Sequence, residues 1–256
     1  MMQAKLHIVI PSRYNSTRLP AKALCLIAGK PMIERVYRQA LKSKIQSITV
    51  ATDDQRIFDA VRAFNGKVVM TRSDHLSGTD RLAEVAQSLQ WHDDDIVINV
   101  QGDEPLIPPE VINQLADEAM LSTAEITTLW TPIYAVDDIF NPNIVKIVLN
   151  AKQQALYFSR APIAWDREHF QWQEQQIGTS QSPCYRHIGM YAYRVKALRK
   201  IPQLPPSPLE TLESLEQLRP LYHDMKIQVA ITHNAPQHGV DTAEDLKRVN
   251  DHFNSH

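Results

Sequence analysis

The chain has 256 residues, 43% of them hydrophobic and 22% charged, a balance that fits one large α/β domain or a domain carrying a smaller excursion. Its formal net charge of −2 and pI near 6.5 give no bulk attraction to nucleic acid or to an anionic membrane, so any phosphate site has to be local and neither is expected as a partner. Cys25 and Cys184 stand without ligand spacing around them and indicate neither a disulfide framework nor a zinc site. No apolar run reaches the length of a membrane span, and Met1 to Lys5 lead straight into a strand pattern, so a cytoplasmic protein is expected.

The first half alternates strand and helix patterns in βαβ order. Leu6 to Ile10 is short, β-branched and apolar, as a buried parallel strand should be, and Pro11 is expected to end it. Pro31 then precedes a helical stripe of Ile33, Val36, Tyr37, Ala40 and Leu41. A strand at Ile48 to Ala51, a helix opened by Asp53-Asp54, a strand at Lys67 to Met70 and a helix through Leu82, Val85, Ala86 and Leu89 follow. Asp95 to Val100 is the clearest buried strand, and it runs into Gln101-Gly-Asp-Glu-Pro105 and a helix beginning near Pro108-Pro109.

The second half is less regular. Strands are expected at Ile126 to Pro132, Ile144 to Leu149 and His187 to Tyr193, with a polar, Gln-rich mobile loop from about Trp165 to Ser182. Four prolines between Pro202 and Pro208 rule out a helix interior, and Leu209 to Leu218 resumes a helical stripe. Ile227 to Ile231 reads as a last strand, and Asp241 to Asp245 opens a closing helix with Leu246, Val249 and Phe253 facing inward.

Chemistry concentrates in three places. Behind the first strand, Ser12, Asn15, Ser16 and Thr17 offer polar groups, while Arg13, Arg18 and Lys22 supply positive charge able to grip a polyphosphate; a basic surface loop would read the same way. Asp103 follows a buried strand end, where open α/β sheets bind ligands, and Gly102 allows close approach there; Asp103 and Glu104 can hold a divalent cation on phosphate oxygens, unless Asp103 merely caps the next helix. Asp241, or its neighbour Thr242, suits a helix N-cap, yet Asp103 plus Asp241 would suffice for magnesium shared with substrate phosphates.

Three segments together, Pro11 to Lys22, Asn99 to Pro105 and Gly239 to Asp245, resemble the signatures of the 3-deoxy-manno-octulosonate cytidylyltransferases, or CMP-KDO synthetases. Met70 to Arg81, Phe140 to Asn143, Ala155 to Ile163, Tyr185 to Tyr191 and Leu215 to Arg219 extend the likeness across nearly the whole chain. The resemblance implies a Rossmann-like nucleotidyltransferase fold: an α/β/α sandwich on a mostly parallel sheet, in one domain spanning 1–256. A smaller mixed-sheet excursion at about 133–205 would serve sugar binding and dimerisation. It further implies a homodimer, magnesium, and transfer of CMP from CTP to KDO for lipopolysaccharide synthesis; a related sugar acid, such as 8-amino-KDO or a sialic acid, is the alternative acceptor.

By the same resemblance Arg13, Lys22, Asp103 and Asp241 are the catalytic set, with the two aspartates on the metal. Pro11, Ser12, Arg13, Arg18, Lys22, Arg72, Ser77, Gly78, Thr79 and Gln101 would face the nucleotide. Gln101, Arg160, His187, Tyr191, Glu216 and Gln217 would face the sugar acid. Bland readings stand beside several of these: Ser77 or Thr79 as helix cap, Arg72 in a surface salt bridge, His187 as a hydrogen-bonded core residue, and Glu216 and Gln217 on a solvated helix face. No GxGxxG follows the first strand, which argues against a dinucleotide-dependent oxidoreductase. The chain departs from the family pattern at Ala21, where glycine is common, and at Ala164 and Ala243, where proline is. If position 21 needs a positive φ, Ala21 carries strain that glycine avoids.

Overall fold

The computed structural model describes residues 4–14, 19–75, 77–167, 170–171, 176–177, 184–236 and 239–255. The chain runs β1 (Leu6–Ser12), β2 (Leu26–Ile27), β3 (Lys30–Pro31), α1 (Met32–Ala40), β4 (Ile48–Thr52), α2 (Gln55–Ala63), β5 (Val68–Met70), α3 (Gly78–Ser88), β6 (Ile96–Asn99) and α4 (Pro109–Leu121). The second half adds β7 (Ile126–Pro132), α5 (Val136–Phe140), β8 (Lys146–Leu149), β9 (Ala155–Ser159), β10 (Phe170–Gln171), β11 (Gln176–Ile177), β12 (Tyr185–Arg194) and α6 (Val195–Lys200). It closes with α7 (Pro208–Glu213), α8 (Leu218–Tyr222), β13 (Ile227–Ile231) and α9 (Ala243–Asn254).

The main sheet has the order β13-β7-β12-β6-β1-β4-β5, with β8 joined to β12 and β9 to β8. Strands β6, β1, β4 and β5 are mutually parallel, as βαβ crossovers require, and β12 runs antiparallel between β6 and β7. Alternate residues of β1 divide two buried layers: Ile8 and Ile10 pack with α1, α2 and α4, while Val9 faces Leu82, Val85 and Ala86 of α3 and Leu198 of α6. Both faces are therefore covered, which is why these strands read as continuous apolar runs. The order reverses at β1, with β4 on one side and β6 on the other, and this switch point opens a crevice beyond the carboxyl ends of β1 and β6.

Three expectations change. Pro11 does not end β1; it pairs in register with Ala51, and it is tolerated because the pairing with β6 stops at Val9, so no ladder bond on that side needs its missing N–H. The stripe from Leu209 to Leu218 is two helices, broken at Ser214, which takes φ 51 and turns the chain after α7. Strand β9 and helices α5 and α6 are additional. The Gln-rich loop lies largely outside the described residues; within it β10 and β11 form an antiparallel pair.

The frame is pinned behind the crevice by Arg81 of α3, which is fully buried. Its Nη2 donates to Asp53 Oδ2 at 2.7 Å, and its Nη1 donates to Thr71 Oγ1 and lies 3.4 Å from the Arg72 carbonyl. A buried guanidinium stripped of its counterion is costly, so Asp53→Ala should lower unfolding free energy by roughly 3–5 kcal/mol in urea titrations. A loss below about 1 kcal/mol, the scale of an exposed pair, would contradict this role.

Candidate active site

The carboxyl end of β1 delivers Pro11, buried Ser12 and exposed Arg13 to the crevice. Arg18 lies outside the described residues. The loop returns at Leu19 and enters a 3₁₀ turn, Lys22–Leu24, preceded by Ala21 at φ 54 and ψ 29. Position 21 therefore does take the positive φ at which alanine carries strain, and it turns the chain so that Lys22 reaches inward.

Lys22 Nζ donates to Asp103 Oδ2 at 2.6 Å and to Asp241 Oδ1 at 3.0 Å. The two acids come from the segment after β6 and from the entry to α9. Backbone ties hold them together: Val240 N–H donates to the Asp103 carbonyl at 2.8 Å, and a Cβ on Gly239 would stand 3.0 Å from that oxygen. A Cβ on Gly102 would stand 2.8 Å from the Pro11 carbonyl, so glycine is what lets the β6 loop approach the β1 loop. Helix capping does not occupy either acid: α4 has Pro108 as its N-cap, and α9 is capped by Thr242 in a reciprocal box with Asp245. Burial opposes the charge on Lys22, but Asp103 and Asp241 outweigh it and hold the ammonium above the ordinary lysine range. Glu104 is set apart: its Oε2 is shielded and has no hydrogen-bond partner, and burial, aided by Asp103 and opposed by Arg186, pushes its carboxyl up to about 8.

Beside this cluster lies a cavity lined by Gly78, Thr79, Gln101, His187, Tyr191, Glu216 and Gln217, all named from sequence. Strand β12 builds one wall. Its register against β7 slips between Ile188 and Tyr191, and Gly189 in the slip borders the cavity. Thr128 Oγ1 lies 2.7 Å from the Met190 carbonyl and 3.0 Å from His187 Nε2. If the single hydroxyl proton serves the carbonyl, Nε2 carries the imidazole proton. Burial, reinforced by Arg186, pushes His187 down to about 3, so it is neutral at physiological pH. It is both hydrogen-bonded in the core and part of the cavity wall. Glu216 and Gln217 do not lie on a helix face; the Ser214 turn carries them into the cavity between α7 and α8.

Three residues named from sequence are committed elsewhere in this structure. Arg160 sends Nε to the Glu213 carbonyl at 2.8 Å, Nη1 to the Pro142 carbonyl at 2.9 Å and Nη2 toward the Ser214 carbonyl at 3.5 Å, bracing the turn that positions Glu216. Arg72 is exposed and chelates Asp74 at 2.9 and 2.5 Å. Ser77 caps α3 in a box with Asp80.

Asn99 and Tyr193 also line the cavity, and neither was singled out from sequence. Asn99 Oδ1 and the Tyr191 hydroxyl are buried without hydrogen-bond partners. Burial holds the Tyr191 phenol well above its usual range, with Tyr193 and Glu216 adding to the effect, and Tyr193 is likewise raised by burial and Glu216. A signal existed: Asn99 is the polar exception in an apolar strand, and Tyr193 repeats Tyr191 at period two.

A cationic turn meeting two acids at a sheet switch point, beside a cavity that sets a few polar groups in a largely apolar lining, is the arrangement of a ligand-binding crevice in an α/β protein. A family model described as cytidylyltransferase matches residues 7–227. The chain belongs to the cytidylyltransferase family. It is 51% identical over 242 residues to the 3-deoxy-manno-octulosonate cytidylyltransferase of Photobacterium profundum, covering 94% of this chain and 96% of that protein. With the protein of the same name from Psychromonas ingrahamii it shares 53% over 247 residues, covering 95% and 97%. A solved structure of CMP:2-keto-3-deoxy-manno-octonic acid synthetase complexed with CTP matches at TM-score 0.88 and 42% identity, covering 98% of this chain and 99% of that one. A cytidylyltransferase from Leptospira borgpetersenii, at TM-score 0.64 and 16% identity, shares the fold.

The strain at Ala21 is testable on its own. Glycine removes a left-handed penalty of about 1–2 kcal/mol and returns about half of it as unfolded-state entropy, so Ala21→Gly should stabilise the protein by roughly 0.5–1 kcal/mol in denaturant unfolding. A destabilised variant would mean that Ala21 makes contacts worth more than its strain.

Proposed function

We propose that this enzyme transfers CMP from CTP to the anomeric hydroxyl of 3-deoxy-manno-octulosonate, releasing pyrophosphate and activating the sugar acid for lipopolysaccharide synthesis. The observation that carries this reading is the convergence of Lys22, Asp103 and Asp241 at 2.6 and 3.0 Å next to a cavity, in a chain about half identical to enzymes bearing that name.

Magnesium fits the donor set. Asp103 and Asp241 present hard oxygens that already converge on one cation, and among the described residues no cluster of three or more acidic, histidine or cysteine ligands surrounds them, which leaves coordination positions for water and phosphate. When bound there, magnesium supplies Lewis-acid polarisation of the phosphoryl group and lowers the pKa of a coordinated hydroxyl. Lys22 and Arg13, with Arg18 on the same loop, neutralise the triphosphate and the departing pyrophosphate. Ser12 and the backbone beside Gly102 let the polyphosphate approach the sheet edge, and Gly78 and Thr79 border the nucleoside. Gln101, neutral His187, Tyr191, Glu216 and Gln217 orient the sugar acid in the cavity. Arg160 would reach the sugar carboxylate on exchanging its carbonyl partners, and Arg72 would reach the base on releasing Asp74. No side-chain nucleophile is needed: the sugar hydroxyl attacks the α-phosphorus and pyrophosphate leaves in line.

A homodimer is supported by Leu156, Leu212 and Tyr222, large exposed apolar side chains on the adjoining elements β9, α7 and α8. A cytoplasmic setting is supported by the Cys25 thiol, which is in no disulfide, and among the described residues no helix is long and apolar enough to cross a membrane.

Pyrophosphate release should be measured with CTP, UTP and ATP, each crossed with KDO, 8-amino-KDO and N-acetylneuraminate, with and without magnesium. The expected maximum is CTP with KDO and metal, and Asp103→Asn should lower kcat by about a hundredfold or more. A near-wild-type rate for that variant at saturating magnesium would remove the metal assignment, and a preference for another sugar acid would reassign the acceptor.

A further inference from the structure

Lys22 occupies a cation's position. Its ammonium lies 2.6 Å from Asp103 and 3.0 Å from Asp241, the two carboxylates that the proposed function assigns to magnesium. The two occupants exclude each other, because magnesium takes oxygens at about 2.0–2.1 Å in a near-octahedral shell and an ammonium wedged between two of those oxygens blocks it. The carboxylates cannot relieve their repulsion by parting, since the Val240–Asp103 backbone bond and the close approach of Gly239 hold the segments together. A permanent pair of like charges needs a counterion, and Lys22 supplies one to both acids. Arg13 is exposed and makes no ion pair with either acid.

We infer that Lys22 is the resident cation of the nucleotide-free enzyme and that it moves from the aspartate pair to the polyphosphate when CTP binds, so that divalent metal and nucleotide enter as a coupled pair. The inference rests on Asp103 and Asp241 being the metal ligands and adds an order of binding to that assignment. Lys22 suits the part: its charge sits on a flexible four-carbon stem at the start of a short turn, so the head can change partners while the turn stays in place. The side chains of Asp103 and Asp241 are 30% and 42% exposed, against 16% for Lys22, so the acids stay open to incoming metal from solution while the lysine fills the inner side. Linkage makes the coupling reciprocal: phosphates that draw Lys22 away raise the affinity for metal, and metal that displaces Lys22 raises the affinity for nucleotide.

The experiment is Mn2+ binding followed by the electron paramagnetic resonance of the free ion, on the full chain without sugar. Wild type, Lys22→Met, Lys22→Gln, Arg13→Gln and Asp103→Asn are compared with and without CTP, correcting for chelation by CTP alone. Wild type should bind Mn2+ about tenfold or more tightly with CTP than without it. Both Lys22 variants should bind Mn2+ about tenfold more tightly than wild type without nucleotide and lose most of the gain from CTP. Arg13→Gln removes the same charge from the loop without vacating the position and should stay within about twofold of wild type without nucleotide. Using two Lys22 substitutions guards against one failing to fold. If neither tightens nucleotide-free binding, or if Arg13→Gln tightens it equally, the resident-cation role is overturned while the metal assignment stands. If Asp103→Asn leaves Mn2+ binding unchanged in every condition, both fall together.

Discussion

Two carboxylates from distant parts of the chain are held around one ammonium, and much of the architecture serves to keep them there. Asp103 stands just past β6, a central strand, and Asp241 stands at the mouth of α9, the last element. The helix cannot drift, because Val240 and Val249 pack with Ile27 and Met32 in a small core of their own. Val240 N–H then bonds the Asp103 carbonyl, so the closing segment is fastened to the strand edge by packing and by hydrogen bonding. A cation position made from such remote segments exists only in the folded chain. The stability of the sheet and the geometry of the site are therefore not separable quantities.

The cavity beside it comes from two interruptions of regular structure. Strand β12 slips against β7 at Gly189, and Thr128 supplies hydrogen bonding to backbone that the ladder no longer pairs. Across the opening, Ser214 takes a left-handed conformation that separates α7 from α8 and turns Glu216 and Gln217 inward. Arg160 braces that turn through carbonyls at 142, 213 and 214. Each irregularity carries its own local compensation, which is how strained backbone persists next to a binding site.

What the sequence disclosed follows from which forces are local. The βαβ half was legible because buried parallel strands and amphipathic helices leave periodic apolar patterns, and the structure has the elements where Ile48, Asp54, Leu82 and Ile98 indicated them. The three chemical segments were legible because charge beside a strand end has few structural uses. The break at Ser214 was not, since serine has no intrinsic preference for φ 51 and the helical stripe continues through Leu215 and Leu218. Nor could the sequence show that Asn99 and Tyr193 share one cavity, because that depends on β12 inserting antiparallel beside β6, a long-range pairing with no local trace. The same holds for Arg160, whose donors are taken by carbonyls that only tertiary packing brings near.

The distribution of charge explains why this assembly suits a reaction between two anions. At the strand ends Lys22 stays protonated beside Asp103 and Asp241, so that side of the crevice is ionic. Within the cavity His187 is pushed down to about 3 and is neutral, and Tyr191 and Tyr193 keep their protons because burial, with Glu216 adding to it, raises both phenols. Glu104, adjacent to Asp103, is pushed up to about 8, so at neutral pH it adds no third full negative charge to those of Asp103 and Asp241. Ion-paired groups thus gather at the strand ends, whereas the cavity combines neutral imidazole and phenol groups with the Glu216 carboxyl.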